Sequence, residues 1–363
     1  METSYIIEIM YETITCLLII LNVLPFINNP HWIFRICEFG RIQLFVLQLV
    51  VLSLGWLITI SNTYVFYTMQ ACLFGFLIFN AVKLIRYTPI YPKRKVPPKG
   101  GKKSISVISF NVYQFNNRYE DLINLINEYN PDILLTIETD HKWEEALKPL
   151  ETEYINSVKV PLDNTYGMHV YTKMKILDSK VHYFQADDLP SIEVKVETKL
   201  GEQFVFFGVH PPPPSPTEEE TSRERDGELL SVAKYVKKLN EPVLVVGDFN
   251  NVAWAKASIL FRKISRMLDP RVGRGFVSTF HAKYKLLRFP IDLIFHSKEI
   301  FIEKLKTLKH IGSDHLPLYA QFFINTEITL KDDVSDLSDS PTSEDKKEAD
   351  EMIQEGKKTE GDR

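Results

Sequence analysis

Polar side chains that can bind a cation or move a proton recur at the ends of apolar, strand-like segments of this chain. Six such segments carry them, and the residues are Asn111, Glu138, His210, Asp248 with Asn250, Asp292, and Asp314 with His315. A strand end is where a rigid sheet presents a side chain at its edge. Each residue alone also has a structural explanation as a turn residue or a strand terminator. Six strand ends with carboxylates, amides and imidazoles predict one shared site for a cation and proton transfer.

The motifs around these residues resemble the endonuclease/exonuclease/phosphatase superfamily, which has the DNase-I-like fold. The matching pieces are SFNV at 109–112, TIETD at 136–140, GVHPPPP from 208, GDFN at 247–250, PIDLI at 290–294 and GSDHLP at 312–317. Their order and approximate spacing also match. With the apolar stretches ahead of it, the chain resembles the membrane-anchored bacterial branch. The resemblance implies a metal-dependent hydrolase of phosphate esters of the phosphodiesterase, endonuclease/exonuclease or phosphatase type.

The acids in this set suit a hard, oxygen-seeking cation. Mg²⁺ takes one or two carboxylates and keeps waters and substrate phosphate as its other ligands. Glu138 is the natural carboxylate ligand, Asn111 can support the ion through its amide oxygen, and Asp314 is a second candidate carboxylate. The metal would polarise a phosphoryl oxygen during in-line displacement. The expected cofactor is therefore Mg²⁺, with Mn²⁺ as the alternative.

Hydrolysis also needs a base for water and groups that contact the phosphate. His315 fits the base or phosphate-contact role, and Asp292 would hold its ring in the required tautomer. The resemblance implies that Asp248 orients the nucleophile, and that Asn250 donates to phosphate oxygens. His210 resembles the histidine that acts on the scissile phosphate or leaving group. The sequence leaves open which histidine is the acid and which is the base.

Two features depart from the pattern of the related membrane-anchored proteins. A histidine is expected directly after the aspartate of PIDLI, and Leu293 stands there, so a substrate contact is in doubt. Four prolines at 211–214 stiffen the loop after His210 into a polyproline-like arm. The alternative function is a catalytically degenerate, membrane-anchored binding or scaffold protein on the same fold. Retention of Glu138 and His315 favours an enzyme.

The scaffold that must position these residues lies between 104 and 327. Alternating apolar patterns predict strands at 104–110, 132–137, 181–184, 191–198, 204–209, 243–246, 291–295 and 316–324. Helical spacing predicts helices at 119–129 and 224–239. Many strands with few helices predict an α/β (α+β) fold of two packed sheets flanked by helices, the four-layer sandwich of the resemblance.

Four segments follow from composition: a transmembrane region at 1–86, a basic Pro-rich linker at 87–103, the catalytic domain at 104–327 and a disordered charged tail at 328–363. Apolar stretches at 14–27, 42–60 and 64–85 predict about three membrane helices, the first being the weakest. The linker could also rest on anionic lipid. Basic residues after the first and third stretches predict a cytoplasmic catalytic domain at a bacterial inner membrane.

The overall charge limits the partners. A net charge of −4 argues against a dedicated nucleic-acid binder, whereas a basic segment at 256–288 is either a local anion-binding patch or a solvated helix face. The three cysteines lie in or beside the apolar region and imply neither disulfides nor a zinc site. The expected partners are a phosphoester substrate, either nucleic acid, a lipid head group or a small phosphoester, and membrane lipid. No protein partner is indicated.

Overall fold

Four helices form the apolar N-terminal region of the chain. The structure, a computed structural model, describes residues 2–58, 60–327 and 340–359. The helices are α1 (Glu2–Val23), α2 (Trp32–Phe39), α3 (Arg41–Gly55) and α4 (Thr63–Ile85). Asn62 caps α4 by accepting hydrogen bonds from the first backbone N–H groups of the helix.

Two stretches of this region are long and apolar enough to cross a bilayer, Thr3–Phe26 and Thr63–Ile85. The helices α2 and α3 meet at a bend of 71° and satisfy the same criterion only as a pair. At 15 residues, α3 measures about 22 Å, which is short of the roughly 30 Å of a bilayer core. Within the described residues there are therefore two candidate spans, or three if the bent pair counts as one.

A buried polar network links three of these helices. The Asn80 Nδ2 atom donates to Asn22 Oδ1 and to Gln48 Oε1, both at 2.8 Å. Arg41 Nη1 donates to Asn80 Oδ1 at 2.8 Å. Polar groups in an apolar bundle need such partners, and hydrogen bonds between helices also fix which faces meet.

The remainder of the chain builds two packed mixed β-sheets flanked by helices, as predicted. The strands are β1 (Ile105–Asn111), β2 (Ile133–Ile137), β3 (Asn156–Val160), β4 (Met168–Thr172), β5 (Lys175–His182), β6 (Ser191–Glu197), β7 (Gln203–Val209), β8 (Val243–Asp248), β9 (Asp292–His296), β10 (Ile300–Thr307) and β11 (Leu318–Ile324). The helices are α5 (Tyr119–Tyr129), α6 (His141–Ala146), α7 (Arg223–Val236), α8 (Lys256–Ser265) and α9 (Ser343–Lys357).

The two sheets enclose the main core and expose their other faces to helices. Strand order is β10-β11-β1-β2-β4-β3 in the first sheet and β5-β6-β7-β8-β9 in the second. Side chains such as Leu135, Val170, Phe206 and Leu244 fill the space between the sheets. Helices α5 and α6 cover the first sheet, and α7, α8 and α9 cover the second. The parallel pairs β1–β2 and β7–β8 end at the same edge of the sandwich.

The expected disorder of the tail at 328–363 is wrong for its described part. Residues 343–357 form α9, which begins with a capping box between Thr342 and Asp345. Its buried Ala349 and Ile353 belong to the same apolar cluster as α7 and α8. Acids of α9 also pair with Lys263 and with Lys256 and Lys234. Composition misses this helix because its apolar face is narrow. Positions 328–339 and 360–363 lie outside the described residues.

The segment at 87–103 has no helix or strand, as expected of a linker, but it packs against the domain. Tyr87 is buried beside Trp254. Arg94 donates to the backbone oxygens of Lys298 and Ile300, and its guanidinium lies over the ring of Phe301. The segment therefore contacts the domain at Tyr87 and at Arg94.

Candidate active site

Five strands from both sheets bring the predicted polar residues to one edge of the sandwich. Asn111 is the last residue of β1, and Glu138 directly follows β2, which runs parallel to β1. Asp248 ends β8 and lies opposite Asp292, the first residue of the antiparallel β9. His315 stands just before β11, the other neighbour of β1.

A continuous chain of polar contacts joins five of these residues. Asn111 Nδ2 donates to Glu138 Oε1 at 2.7 Å and to Asp248 Oδ2 at 3.1 Å. His315 Nε2 lies 3.5 Å from Asp248 Oδ2, and its Nδ1 lies 2.8 Å from Asp292 Oδ2. The sequence prediction of one shared site therefore corresponds to direct contact between residues more than a hundred positions apart.

Glu138 is partly buried and held in an unusual backbone conformation. Its φ angle is +63°, in the left-handed region that costs energy for a residue with a Cβ atom. Besides Asn111, the backbone N–H of Gln114 donates to its carboxylate, at 3.2 Å. Burial raises the pKa of Glu138 to about 7, against the opposing hydrogen bond from Asn111 and the charge of His315.

His315 is buried between carboxylates and beneath an aromatic ring. Burial alone lowers its pKa, but the charges of Asp292 and Asp248, with the hydrogen bond to Asp292, raise the pKa of His315 to about 10. The ring of Phe280 packs on it with centroids 4.9 Å apart. Together these contacts fix both the charge and the orientation of the imidazole.

His210 and Asn250 lie on adjacent loops that touch each other. Asn250 Nδ2 donates to the backbone oxygen of Pro211 at 3.0 Å, so its amide holds the proline loop in place. A Cβ atom on Gly247 would lie 2.0 Å from the backbone oxygen of Val209, which explains the glycine of GDFN. Burial lowers the pKa of His210 to about 4. Among the described residues, its Nδ1 has no hydrogen-bond partner.

The arrangement of strands and motifs matches one known family over most of the domain. The sequence profile of the Endonuclease/Exonuclease/phosphatase family matches residues 108–315, more than half of the chain. The chain belongs to this family. The family comprises nucleases, phosphodiesterases and phosphatases, so the chain is a member of a superfamily of phosphoester hydrolases. Comparison with curated protein sequences finds no match.

Solved structures share the fold of this family member. The endonuclease/exonuclease/phosphatase from Bacteroides vulgatus superposes with a TM-score of 0.51 at 20% identity, covering 62% of this chain and 100% of that chain. For the family protein from Bacteroides thetaiotaomicron the TM-score is 0.52 at 18% identity, with coverages of 62% and 99%. A functionally unknown conserved protein from Enterococcus faecalis V583 superposes with a TM-score of 0.50 at 16% identity, covering 60% of this chain and 99% of that chain. At such identities the likeness establishes the fold alone.

The departure from the family pattern at Leu293 has a structural explanation. Leu293 is fully buried in the cluster beneath α7 and α8, with Val245 and Phe207. Because side chains alternate along β9, position 293 faces away from the edge where Asp292 contacts His315. The side chain of Leu293 therefore packs in the core and does not face the candidate active site.

The oxygen donors of the site fit a divalent cation of the kind that the family uses. Among the described residues, no Lys or Arg forms an ion pair with Glu138, so this partly buried carboxylate has only N–H donors as partners. A second group consists of Asp248, Asp292 and His315, whose ligand atoms all lie within 4.8 Å of one another. Asp314 is less buried, although its charge acts on both Glu138 and His315.

Two residues that support the site were given no role by the sequence. Ser313 Oγ donates to the Asn111 backbone oxygen at 2.8 Å and accepts from the His315 N–H at 3.0 Å. Arg225, almost fully buried in α7, donates to the Asn250 backbone oxygen at 3.1 Å. Only Ser313 stands within a motif, and its role depends on a loop-to-strand contact that spacing does not reveal.

The basic segment at 256–288 does not form one patch. Lys256 and Lys263 form ion pairs with acids of α9, and Arg271 pairs with Asp269 in a buried position. Three other basic residues lie on the loop that precedes β9: Lys283, Lys285 and Arg288. This last group shares its loop with Phe280, which packs on His315.

Proposed function

We propose that this protein is a membrane-anchored, divalent-metal-dependent hydrolase of phosphate esters. The observation that carries the proposal is the unbroken series of contacts from Glu138 through Asn111 and Asp248 to His315 and Asp292. Folding alone does not require buried acids from two sheets to meet, because burying them costs free energy. Clusters of buried ionisable groups are typical of sites that bind metal or move protons.

Glu138, with Asn111 and Asp314, would hold the metal, which is Mg²⁺ or Mn²⁺. When bound, it supplies Lewis-acid polarisation of a phosphoryl oxygen. The amide of Asn111 also spaces the carboxylates of Glu138 and Asp248, since its Nδ2 donates to both. The charge of Asp314 adds to the attraction for a cation.

The other residues act on water and phosphate. Asp292 fixes the ring of His315 so that Nε2 faces Asp248, where a phosphate oxygen or the attacking water can be contacted. Asp248 is the acceptor that orients the nucleophile. Asn250 holds the loop of His210, which would act on the scissile phosphate or the leaving oxygen. Whether His315 or His210 supplies the acid is decided by the pH profiles of their alanine variants.

Membrane anchoring is supported by the two long apolar helices and by the fit of the helices to the domain. The backbone of Trp32 donates to the Glu220 backbone oxygen, and Trp254 Nε1 donates to that of Glu38. The connection between α1 and α3 thus lies on the same side of the bundle as the catalytic domain. Arg35 and Arg41 lie on that side, and basic residues in short loops favour the cytoplasmic side of a membrane, so the domain is proposed to be cytoplasmic.

The test is turnover of bis-p-nitrophenyl phosphate by the purified full chain in detergent, with Mg²⁺ or EDTA. We expect metal-dependent hydrolysis that Glu138→Ala and His315→Ala each reduce by at least 100-fold. Glu145→Ala and His141→Ala are the matched controls, since both side chains are 71% exposed on α6. A folded chain that binds Mg²⁺ but turns over no phosphoester would instead favour the scaffold alternative.

A further inference from the structure

The loop at residues 280–289, which we call the lip, combines apolar and basic side chains at its tip. Leu286 is 87% exposed, Leu287 is 57% exposed and Tyr284 is 59% exposed. Lys283 and Lys285 stand on either side of Tyr284 and are also exposed. Adjacent exposed leucines beside lysines are costly in water and are typical of segments that enter a bilayer interface.

The lip touches the membrane helices. Gln43 Nε2, in the first turn of α3, donates to the Leu286 backbone oxygen at 2.8 Å. Phe289 packs edge-on against Phe39 of α2, with ring centroids 6.3 Å apart. Three residues beyond Gln43, at about 4.5 Å along the helix axis, α3 begins to expose apolar side chains, the first being Val46. The tip of the lip therefore lies next to the point on α3 where its exposed apolar side chains begin.

The other end of the lip touches the candidate active site. The ring of Phe280 packs on His315 with centroids 4.9 Å apart. The backbone N–H of Ala282 donates to the Asp314 backbone oxygen at 2.6 Å. Arg288 closes the loop by donating to the backbone oxygens of His281 and Ala282. One short segment thus joins the membrane helices to two residues of the site.

We infer that the lip enters the bilayer interface and that the substrate is a phosphoester lipid of the same bilayer, whose head-group phosphate reaches the site beside His315. This substrate class rests on the proposed hydrolase function. In the reaction, the oxygen of water forms a bond to phosphorus and one P–O ester bond breaks. The proton of the attacking water goes to the acceptor in the site, and the leaving oxygen takes up a proton to become a hydroxyl group.

Nucleic acid fits the lip less well than lipid. A polyanion would be attracted to Lys283 and Lys285, but it offers nothing that would bury Leu286 and Leu287. A bilayer with anionic lipid satisfies both kinds of side chain, because it receives the apolar groups and attracts the basic ones. A second exposed apolar side chain, Phe115, lies beside Tyr113 on the loop after β1, which follows Asn111, and could also enter the bilayer interface.

The test uses the full chain in nanodiscs of phosphatidylethanolamine and phosphatidylglycerol, with and without phosphatidylinositol, in Mg²⁺. Head-group release is compared with hydrolysis of bis-p-nitrophenyl phosphate and of a single-stranded oligonucleotide. We expect at least one lipid to be turned over 100-fold faster than the soluble diester. The double variant Leu286→Glu, Leu287→Glu should lower the lipid-to-diester ratio at least tenfold. Leu200→Glu, at a 53% exposed position on the turn between β6 and β7, should leave that ratio within twofold.

Each outcome separates the two proposals. Turnover of the diester or the oligonucleotide with no turnover of lipid overturns the lipid assignment and leaves the hydrolase in place. Lipid turnover at a ratio that the double variant does not change overturns the role of the lip. Absence of turnover on every substrate counts against the hydrolase and removes the lipid assignment with it.

Contact with the bilayer has its own measurement, independent of activity. A fluorophore on Leu286→Cys, in a chain whose three cysteines are replaced by serine, should be quenched by brominated lipids at least threefold more than one on Leu200→Cys. Equal quenching at the two positions would show that the lip stays in water.

Discussion

The imidazole of His315 lies with Nδ1 2.8 Å from Oδ2 of Asp292, the first residue of β9. Its Nε2 lies 3.5 Å from Oδ2 of Asp248 and is the only ring nitrogen left to face a substrate. Because His315 precedes a strand of the other sheet, the contact also ties the two sheets together at the site. Asp292 thus positions the ring, and its effect on turnover should be separable from substrate binding.

Asp292→Asn should lower kcat on a soluble diester by about 100-fold with little change in KM, since the imidazole of His315 loses the carboxylate that orients it and raises its pKa, and general acid–base groups contribute factors of this size. Steady-state kinetics over a range of pH measures both constants. Asp178→Asn, at an exposed position of β5, is the control. An increase in KM without a change in kcat would mean that Asp292 contributes to substrate binding instead.

Glu138→Gln should abolish binding of Mg²⁺ to the purified chain, measured by calorimetry. Magnesium at 100 times its Kd should stabilise the wild type by about 2.7 kcal/mol and the variant by much less. Without metal, the variant should unfold at the same temperature as the wild type or higher, because a buried carboxylate is replaced by a neutral amide. Equal stabilisation of both proteins by Mg²⁺ would place the metal elsewhere, with Asp248 the next residue to change.

Acid should destabilise the fold through two histidines outside the site. Burial lowers the pKa of His169 to about 3 and that of His296 to about 3. Unfolded histidine titrates near 6.5, so the unfolded chain binds more protons below that pH. Stability is therefore unaffected above pH 6.5 and falls by up to about 1.4 kcal/mol per pH unit for each histidine between pH 6 and 3.

The measurement is urea unfolding of the detergent-solubilised chain at successive pH values. His169→Gln should flatten the slope of the unfolding free energy against pH, because one of the two buried groups no longer titrates. His141→Gln, at an exposed position, should leave the slope unchanged. An unchanged slope in His169→Gln would mean that His169 is protonated in the folded chain.

The C-terminal helix α9 should contribute to the stability of the catalytic domain. Ile353→Ala should lower the free energy of unfolding by about 2 kcal/mol, since it removes a buried side chain from the cluster beneath α7. Gln354→Ala, on the exposed face of the same helix, should have no measurable effect. If deletion of residues 340–363 leaves the unfolding curve unchanged, the helix does not pack on α7 in solution.

The sequence alone determined the class of fold and the identity of the polar residues at its edge. Apolar patterns predicted β1, β6, β7, α5 and α7 closely, because apolar side chains are buried along most of each element. Edge strands such as β3 and β10 were missed, since Lys and Glu on their exposed faces weaken the apolar signal. The motifs likewise identified Glu138 and His315 without showing which of their neighbours they would touch.

Only the tertiary structure decided how these residues act on one another. Asn111 reaches both Glu138 and Asp248 because two sheets converge, a distance in space that no local pattern encodes. The pairing of α9 with α7 depends on a partner surface far away in sequence, so composition alone predicted a disordered tail. The contact between Gln43 and Leu286 is of the same kind. Local patterns fix what each segment buries, whereas the fold fixes what it is buried against.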